Sequence, residues 1–141
     1  MPEAAIRQGR AADIPRLMEI RATVAENRLS DPDSVRAADY LPFIDAGRLW
    51  AWEEAGAILG FAALDAAAGS LWALFVAPEA AGRGIGKALL RRAIDEARAV
   101  GLATLRLVTA ADSRAERLYC ALGWTEMGRD AGGDLRMVLK L

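Results

Sequence analysis

A loop with three alternate glycines is the part of the sequence best suited to chemistry. It contains Gly82, Gly84 and Gly86, with Arg83 between the first two and Lys87 directly after the third. Glycine lets a backbone turn tightly and leaves its N–H groups accessible. The apolar pattern that follows predicts a helix, and unpaired N–H groups at a helix N-terminus favour anions. The loop therefore predicts a cradle for a phosphate or pyrophosphate group.

Two common nucleotide-binding loops do not match this segment. A Walker A loop needs glycine at position 81 and serine or threonine at position 88, and both positions are alanine. A dinucleotide loop that begins at Gly84 would need glycine where Leu89 stands, and one that begins at Gly82 meets Lys87. Taken alone, the loop is also compatible with an alternative in which it is a glycine-rich turn that only connects a strand to a helix.

The side-chain inventory limits the chemistry further. The chain has no histidine and a single cysteine, Cys120. A Ser-His-Asp or Cys-His apparatus is therefore excluded, a metal site is not expected, and no internal disulfide can form. Proton transfer would fall to Asp, Glu, Tyr, Lys, Cys or water.

Length and charge describe one ordinary globular domain. The 141 residues predict a single domain over residues 1–141. A net charge of −1 lacks the basic footprint of a nucleic-acid partner. No apolar run approaches the roughly 20 residues that span a bilayer, and Met1 to Arg10 lacks the apolar core of a signal peptide. With one cysteine, these features predict a cytoplasmic protein.

The elements that must position the glycine loop follow from hydrophobic periodicity. Apolar residues at helical spacing predict two helices before residue 47 and two more in the second half of the chain. Short runs of β-branched and aromatic residues, separated by turns at hairpin spacing, predict strands between the helices. The fold class is therefore α+β on a mixed, mostly antiparallel sheet. The predicted strands are Ala4–Arg7, Leu49–Glu53, Ile58–Leu64, Leu71–Val76, Thr104–Val108, Glu126–Arg129 and Leu135–Leu139, and the helices are Ala12–Ala25, Pro32–Ala46, Gly86–Val100 and Ser113–Ala121.

Two motifs resemble the GNAT superfamily of acetyl-CoA-dependent N-acetyltransferases. The stretch Val76-x-Pro78 followed by Gly82 to Leu90 is similar to that family's acetyl-CoA signature. The stretch Ala115 to Trp124 resembles its Ala-x-x-Leu-Tyr-x-x-x-Gly-Phe helix. The two motifs come in order and on the expected elements, and the resemblance covers essentially the whole chain. It implies a three-layer fold in which two central strands splay apart.

The resemblance also implies how acetyl-CoA binds as cosubstrate. The backbone of Leu74, Phe75 and Val76 would pair with the pantetheine arm. The pyrophosphate would lie on the loop formed by Gly82, Arg83, Gly84, Ile85, Gly86 and Lys87. Asp112 stands where many members have asparagine, and a carboxylate cannot donate a hydrogen bond. Ala81 replaces the leading Gln or Arg of the signature, and Ser70 replaces the general-base Glu of histone-type members.

Tyr119 is the implied catalytic acid. A phenol has an unperturbed pKa of about 10, so it stays protonated at neutral pH and can donate a proton. The resemblance implies that its hydroxyl points toward the thioester sulfur. Without the motif, the residues around Tyr119 are also compatible with a core aromatic side chain on an amphipathic helix.

The acceptor half of the sequence is less informative. Among Glu26, Asp31, Asp33 and Glu53, we expect Glu26 to contact the amine and relay its proton. Of Trp50, Trp52 and Trp72, most are expected in the core, and one at the cleft would form an apolar wall. The acceptor is predicted to be an amine, and homodimer formation is left open.

The leading interpretation is an N-acetyltransferase that moves an acetyl group from acetyl-CoA to a primary amine by direct transfer. The alternative is a non-catalytic acyl-CoA-binding sensor or scaffold module. The presence of Tyr119 favours the enzyme.

Overall fold

The computed structural model of the protein describes residues 4–24 and 35–141. Within these ranges the strands are β1 (Ala4–Gln8), β2 (Leu49–Glu54), β3 (Ala57–Asp65), β4 (Ser70–Val76), β5 (Thr104–Thr109), β6 (Thr125–Arg129) and β7 (Leu135–Lys140). The α-helices are α1 (Ile14–Thr23), α2 (Leu41–Asp45), α3 (Ile85–Ala99) and α4 (Arg114–Ala121). Short 3-10 turns cover Ala11–Asp13, Ala37–Tyr40 and Pro78–Ala80.

The strands form one mixed seven-stranded sheet in the order β1-β2-β3-β4-β5-β7-β6. All neighbouring pairs are antiparallel except β4 and β5, which run parallel. Parallel neighbours need a crossover connection, and here α3 provides it between β4 and β5. The predicted α+β class, the flanking helices and the splayed central strands are confirmed.

Each face of the sheet carries its own apolar core. On one face, α3 and α4 cover a core that includes Trp50, Leu89, Leu105 and Tyr119. Residues of α3 repeat at helical spacing on its buried side: Ile85, Leu89, Leu90, Ala93 and Ala97. On the other face, α1 and α2 cover a core that includes Leu17, Ile20, Tyr40 and Phe61. The central strands therefore lie between two helical layers.

The second predicted helix is much shorter than the sequence pattern indicated. The expected span was Pro32–Ala46, but the described chain shows a 3-10 turn, Ala37–Tyr40, and then only α2. Pro42 explains the break, because a proline lacks an N–H and its ring clashes with the carbonyl four residues earlier. An α-helix can begin near Pro42 but cannot continue through it. Residues 32–34 lie outside the described ranges.

An ion-pair cluster joins β1 to the start of α1. The Arg7 guanidinium donates to both carboxylate oxygens of Asp13, at 2.8 and 3.1 Å, and to Glu53 at 3.1 Å. Asp13 also accepts the Arg10 backbone N–H at 2.8 Å. The hydrogen bond from Arg7 holds the pKa of the Asp13 carboxyl below its usual range, despite the opposing effect of partial burial.

We expect Asp13→Asn to destabilise the fold by about 1–2 kcal/mol at neutral pH, because it removes a partly buried charge-assisted pair. Since the folded-state pKa of Asp13 is lowered, its stabilisation is fully present above the unfolded pKa of about 3.9 and is lost as the pH falls through the folded value. The difference between wild type and variant in urea unfolding should therefore shrink between pH 7 and pH 3. An equal difference at both pH values would assign the effect to packing instead of charge.

Candidate active site

The opening between β4 and β5 is the central feature of the site. Ser70 and Arg106 are the only residues in register between the two strands in the described chain, next to a hydrogen bond from the Arg106 N–H to the Gly69 carbonyl at 2.9 Å. On its other edge β4 continues to pair with β3 as far as Val76. The edge of β4 that faces β5 therefore lacks a strand partner from Leu71 onward.

A pocket lies in this opening. Its empty volume is about 370 Å³ when the open solvent at its mouth is counted. Its walls come from β4, β5, α1 and α4. They are formed by Arg21, Leu71, Trp72, Ala73, Leu74, Phe75, Leu107, Val108, Thr109 and Tyr119. Because Tyr119 belongs to the core under α3 and α4 whereas Phe75 belongs to the core under α1 and α2, the pocket joins the two faces of the sheet.

Tyr119 is held firmly at the inner end of this pocket. It lies in α4, and Ser113 caps the N-terminus of that helix. The Ser113 hydroxyl accepts the Glu116 N–H at 3.1 Å and donates to the Ala110 carbonyl at 2.6 Å. The spacing Ser113-x-x-Glu116 is typical of a helix N-terminus. Tyr119 is 4% exposed, and its ring centroid is 5.4 Å from that of Trp124. Burial raises the pKa of the Tyr119 phenol well above its usual value, so the hydroxyl is a proton donor throughout the neutral range.

The glycine loop lies immediately before α3. Gly82 and Gly84 have φ of +81° and +82°, in the left-handed region that favours glycine. A Cβ added at either residue would meet no atom within 4 Å, so the loop faces open space. Gly86 differs, because it lies inside α3, where an added Cβ would be 3.4 Å from Val76 and 3.7 Å from Leu118. A Cβ at Gly86 would thus make ordinary van der Waals contacts, whereas Gly82 and Gly84 supply the left-handed conformation of the turn.

Backbone donors are concentrated at this helix start. The first intrahelical hydrogen bond runs from the Ala88 N–H to the Gly84 carbonyl at 3.1 Å, and no side chain caps the helix. The N–H groups of Ile85, Gly86 and Lys87 therefore precede the hydrogen-bonded part of α3. Such donors at the positive end of the helix dipole are suited to an anion.

The two cations of the loop have different surroundings. The Arg83 guanidinium donates to Glu54 at 2.6 Å, and this pairing lowers the pKa of the Glu54 carboxyl. Lys87 is exposed and forms no ion pair within residues 4–24 and 35–141. In this structure Arg83 is thus partly neutralised, and Lys87 is the cation beside the loop that remains available.

The other residues predicted for the cofactor site lie in several environments. Leu74 and Phe75 line the pocket, whereas Val76 packs below the start of α3. The Ile85 side chain is buried in the core, so only its backbone N–H faces the loop. Asp112 is exposed with φ of +59°, a conformation in which Asp and Asn are enriched among non-glycine residues.

The acceptor-side predictions have mixed outcomes. Glu26, Asp31 and Asp33 lie outside the described residues. Glu53 accepts a hydrogen bond from Arg7 on the first strands and does not line the pocket. Trp50 is a core residue, as expected, and Trp72 is the tryptophan at the cleft.

Arg21 is the pocket residue that sequence reasoning missed. It follows the buried Ile20 near the end of α1, where helical spacing suggests a solvated charge. The only available signal was its position on the helix expected to border the acceptor site.

Comparisons with known proteins agree with this geometry. The sequence model of the acetyltransferase (GNAT) family matches residues 14–124. The chain therefore belongs to the acetyltransferase (GNAT) family, and the prediction of an acyltransferase is confirmed. No curated protein sequence that was compared with the chain matches it.

Solved structures with a similar fold cover almost the whole chain. The Salmonella typhimurium protein yncA, with its cofactor acetyl-CoA, is 25% identical over 99% of this chain and 94% of its own, with a TM-score of 0.79. PaiA N-acetyltransferase from Thermoplasma acidophilum, in complex with coenzyme A, is 20% identical over 99% of both chains, with a TM-score of 0.79. The ribosomal-protein-S18-alanine N-acetyltransferase from Escherichia coli is 24% identical over 98% of this chain and 94% of its own, with a TM-score of 0.73.

Two further features of the described residues bear on partners. No helix in residues 4–24 and 35–141 combines the length and apolar character needed to cross a bilayer. In the same ranges no three His, Cys, Asp or Glu side chains come together as a metal site would require.

Proposed function

We infer that this protein transfers the acetyl group of acetyl-CoA directly to a primary amine. The observation that carries the proposal is the opening between β4 and β5, which brings Tyr119 and the free edge of β4 into one pocket. The unpaired edge of β4 offers backbone groups to a pantetheine arm. The open loop and the first N–H groups of α3 suit the pyrophosphate. The acetyl-CoA bound to yncA and the coenzyme A bound to paiA support the same choice of cosubstrate.

Direct transfer sets simple requirements for the chain. The amine nitrogen attacks the thioester carbonyl carbon, the new C–N bond forms as the C–S bond breaks, and the electron pair leaves with sulfur. Tyr119 would donate a hydrogen bond to that sulfur. Because its pKa is raised above that of a thiol, which is about 8.5, complete proton transfer to a thiolate is uphill. Its main effect would therefore be to stabilise developing negative charge, with the amine proton leaving to water or to Glu26, the base that the sequence proposes.

A binding and turnover experiment tests the proposal. Acetyl-CoA and CoA should raise the melting temperature, since a ligand that binds only the folded state stabilises it by mass action. ATP and NAD at equal concentration should raise it much less, because neither carries a pantetheine arm. A panel of primary amines with acetyl-CoA should then release free thiol above the background without enzyme. Equal stabilisation by ATP, or no thiol release with any amine, would refute the proposal.

The Arg83–Glu54 pair leads to a prediction about affinity. Glu54→Gln should tighten CoA binding about two- to fivefold, because the variant releases Arg83 and removes a negative charge near an anion site. The affinity should be measured by calorimetry at low and at high salt, since exposed charges are screened. The matched control is Asp95→Asn, which removes the same charge from the exposed side of α3. Unchanged affinity in Glu54→Gln would show that Arg83 has no part in holding the phosphates.

A further inference from the structure

The wall of the pocket that α1 contributes contains a cation packed against two aromatic rings. Arg21 reaches the pocket from α1, and its Cζ lies 5.0 Å from the Trp72 ring centroid and 4.9 Å from that of Phe75. Its Nη1 is buried and has no hydrogen-bond partner. Arg21 also forms none of the ion pairs found in the described residues.

A second unpaired polar atom lies beside it. The Tyr40 hydroxyl is buried and likewise lacks a hydrogen-bond partner. Its ring packs edge-on against Trp72, with centroids 5.1 Å apart. Burial raises the pKa of the Tyr40 phenol, and its side-chain interaction with Arg21, together with the Arg21 charge, partly opposes that rise. The two side chains are therefore neighbours, although neither the Tyr40 hydroxyl nor Arg21 Nη1 has a partner in good hydrogen-bond geometry.

Burying the Tyr40 hydroxyl and Arg21 Nη1 costs free energy unless a hydrogen-bond acceptor pairs with them. A buried polar group without a partner loses its hydration without compensation, and a buried charge loses more. The neighbouring rings of Trp72 and Phe75 hold the guanidinium by cation–π contact but accept no conventional hydrogen bond. Asp39, the carboxylate whose charge acts on Tyr40, accepts the Arg36 backbone N–H at 2.7 Å. Within the described residues, therefore, no carboxylate pairs with Arg21.

We propose that Arg21 binds a carboxylate of the acceptor, so that the acceptor is an amino acid or a similar compound with both an amine and a carboxylate. A guanidinium presents donors in a planar fork that matches a carboxylate, and the buried Tyr40 side chain beside Arg21 would position that fork. This inference rests on the proposed function and specifies its substrate class.

The two faces of the sheet give the acceptor its orientation. Arg21 lines the opening from the side of α1, whereas Tyr119 lines it from the side of α4. An acceptor anchored by its carboxylate at Arg21 would extend its amine into the opening toward Tyr119. Trp72, which stacks on Phe43 at 4.4 Å between centroids, would form the apolar wall beside its side chain.

Paired acceptors provide the test. The twenty standard L-amino acids and their carboxamides are compared as acceptors with saturating acetyl-CoA, with putrescine and tyramine as amines that lack a carboxylate. The wild type should prefer at least one amino acid over its own carboxamide. Arg21→Met should lower kcat/KM for that amino acid about 10²-fold, mainly through KM, because it removes one partner of a buried charge pair. The carboxamide should lose less than about threefold.

Matched variants separate binding from folding. Arg21→Lys keeps the charge but loses the fork and should fall between wild type and Arg21→Met, and Tyr40→Phe should raise KM for the amino acid less than Arg21→Met does. Arg98→Met removes an equal charge at the far end of α3 and should behave as wild type. Each variant should keep the melting-temperature shift with CoA. The N-acetylated product of the best amino acid should compete with the acceptor in the wild type and not in Arg21→Met.

The outcomes distinguish the two proposals. If no amine in the panel is acetylated, the proposed function itself fails. If amines are acetylated but carboxylate and carboxamide are used equally, the function stands and the carboxylate site is wrong. If Arg21→Met lowers kcat equally for charged and uncharged acceptors, Arg21 acts on the thioester and does not bind the acceptor.

Discussion

Gly84→Asp is expected to abolish the melting-temperature shift that CoA gives to the wild type. Gly84 stands at the N-cap of α3 with φ of +82° and no neighbour within 4 Å of an added Cβ. An aspartate there has room, and its carboxylate would be favoured by the helix dipole and could accept the free N–H groups of the first turn. The variant would thus place its own anion where the pyrophosphate is expected and repel the ligand's charge. Loss of CoA binding by more than 10²-fold is expected by calorimetry.

Two variants separate this effect from backbone strain. Gly84→Ala introduces the same left-handed strain without a charge and should weaken CoA binding far less. Gly101→Asp introduces both a charge and strain at the opposite end of the same helix, where φ is +86° and the space is also open. It should lower stability but keep the shift with CoA. If Gly84→Asp folds and binds CoA as the wild type does, the loop is not the phosphate site.

The sequence predicts the parts of this fold in which periodicity and local chemistry agree. The apolar stripe of α3, the hairpin spacing of β2 to β4 and the Ser113–Glu116 cap each depend on residues close together in the chain, so they can be deduced from the sequence. The resemblance of the two motifs adds the splay between β4 and β5. Pro42 shows the limit of periodicity, because helical spacing continued across a residue that an α-helix interior does not accept.

The site is less predictable where a side chain's role depends on its tertiary surroundings. Arg21 resembles any polar residue on an amphipathic helix until the fold brings two aromatic rings against it and leaves Nη1 without a partner. The pairing of Arg83 with Glu54 joins residues 29 positions apart, and no short-range pattern indicates it. Gly86 follows the alternation of Gly82 and Gly84, yet it lies inside α3 and lacks their positive φ, a difference that only the structure shows.

Tyr119→Phe is expected to lower kcat by about 10²–10³-fold, the usual range for loss of a positioned hydrogen-bond donor to charge that develops in the transition state. The change keeps the ring that packs on Trp124 and removes only the hydroxyl. Folding and the melting-temperature shift with CoA should therefore change little. KM for acetyl-CoA should stay nearly constant, because the hydrogen bond to sulfur strengthens only as negative charge develops in the transition state. The measurement is the single-turnover rate of acetyl transfer to the best acceptor, which isolates the chemical step from product release.

The pH dependence of this variant tests how Tyr119 acts. Burial keeps the phenol protonated well above neutral pH, so its own ionisation should not appear in the wild-type rate between pH 6 and pH 9. Any rise of rate over that range should reflect loss of the acceptor's proton, and wild type and Tyr119→Phe should rise in parallel while remaining separated by a constant factor. If the separation vanished as the pH increased, the hydroxyl would be acting on the amine and not on the leaving sulfur. A single-turnover rate near that of the wild type across the whole range would remove Tyr119 from the mechanism and leave it only its packing against Trp124.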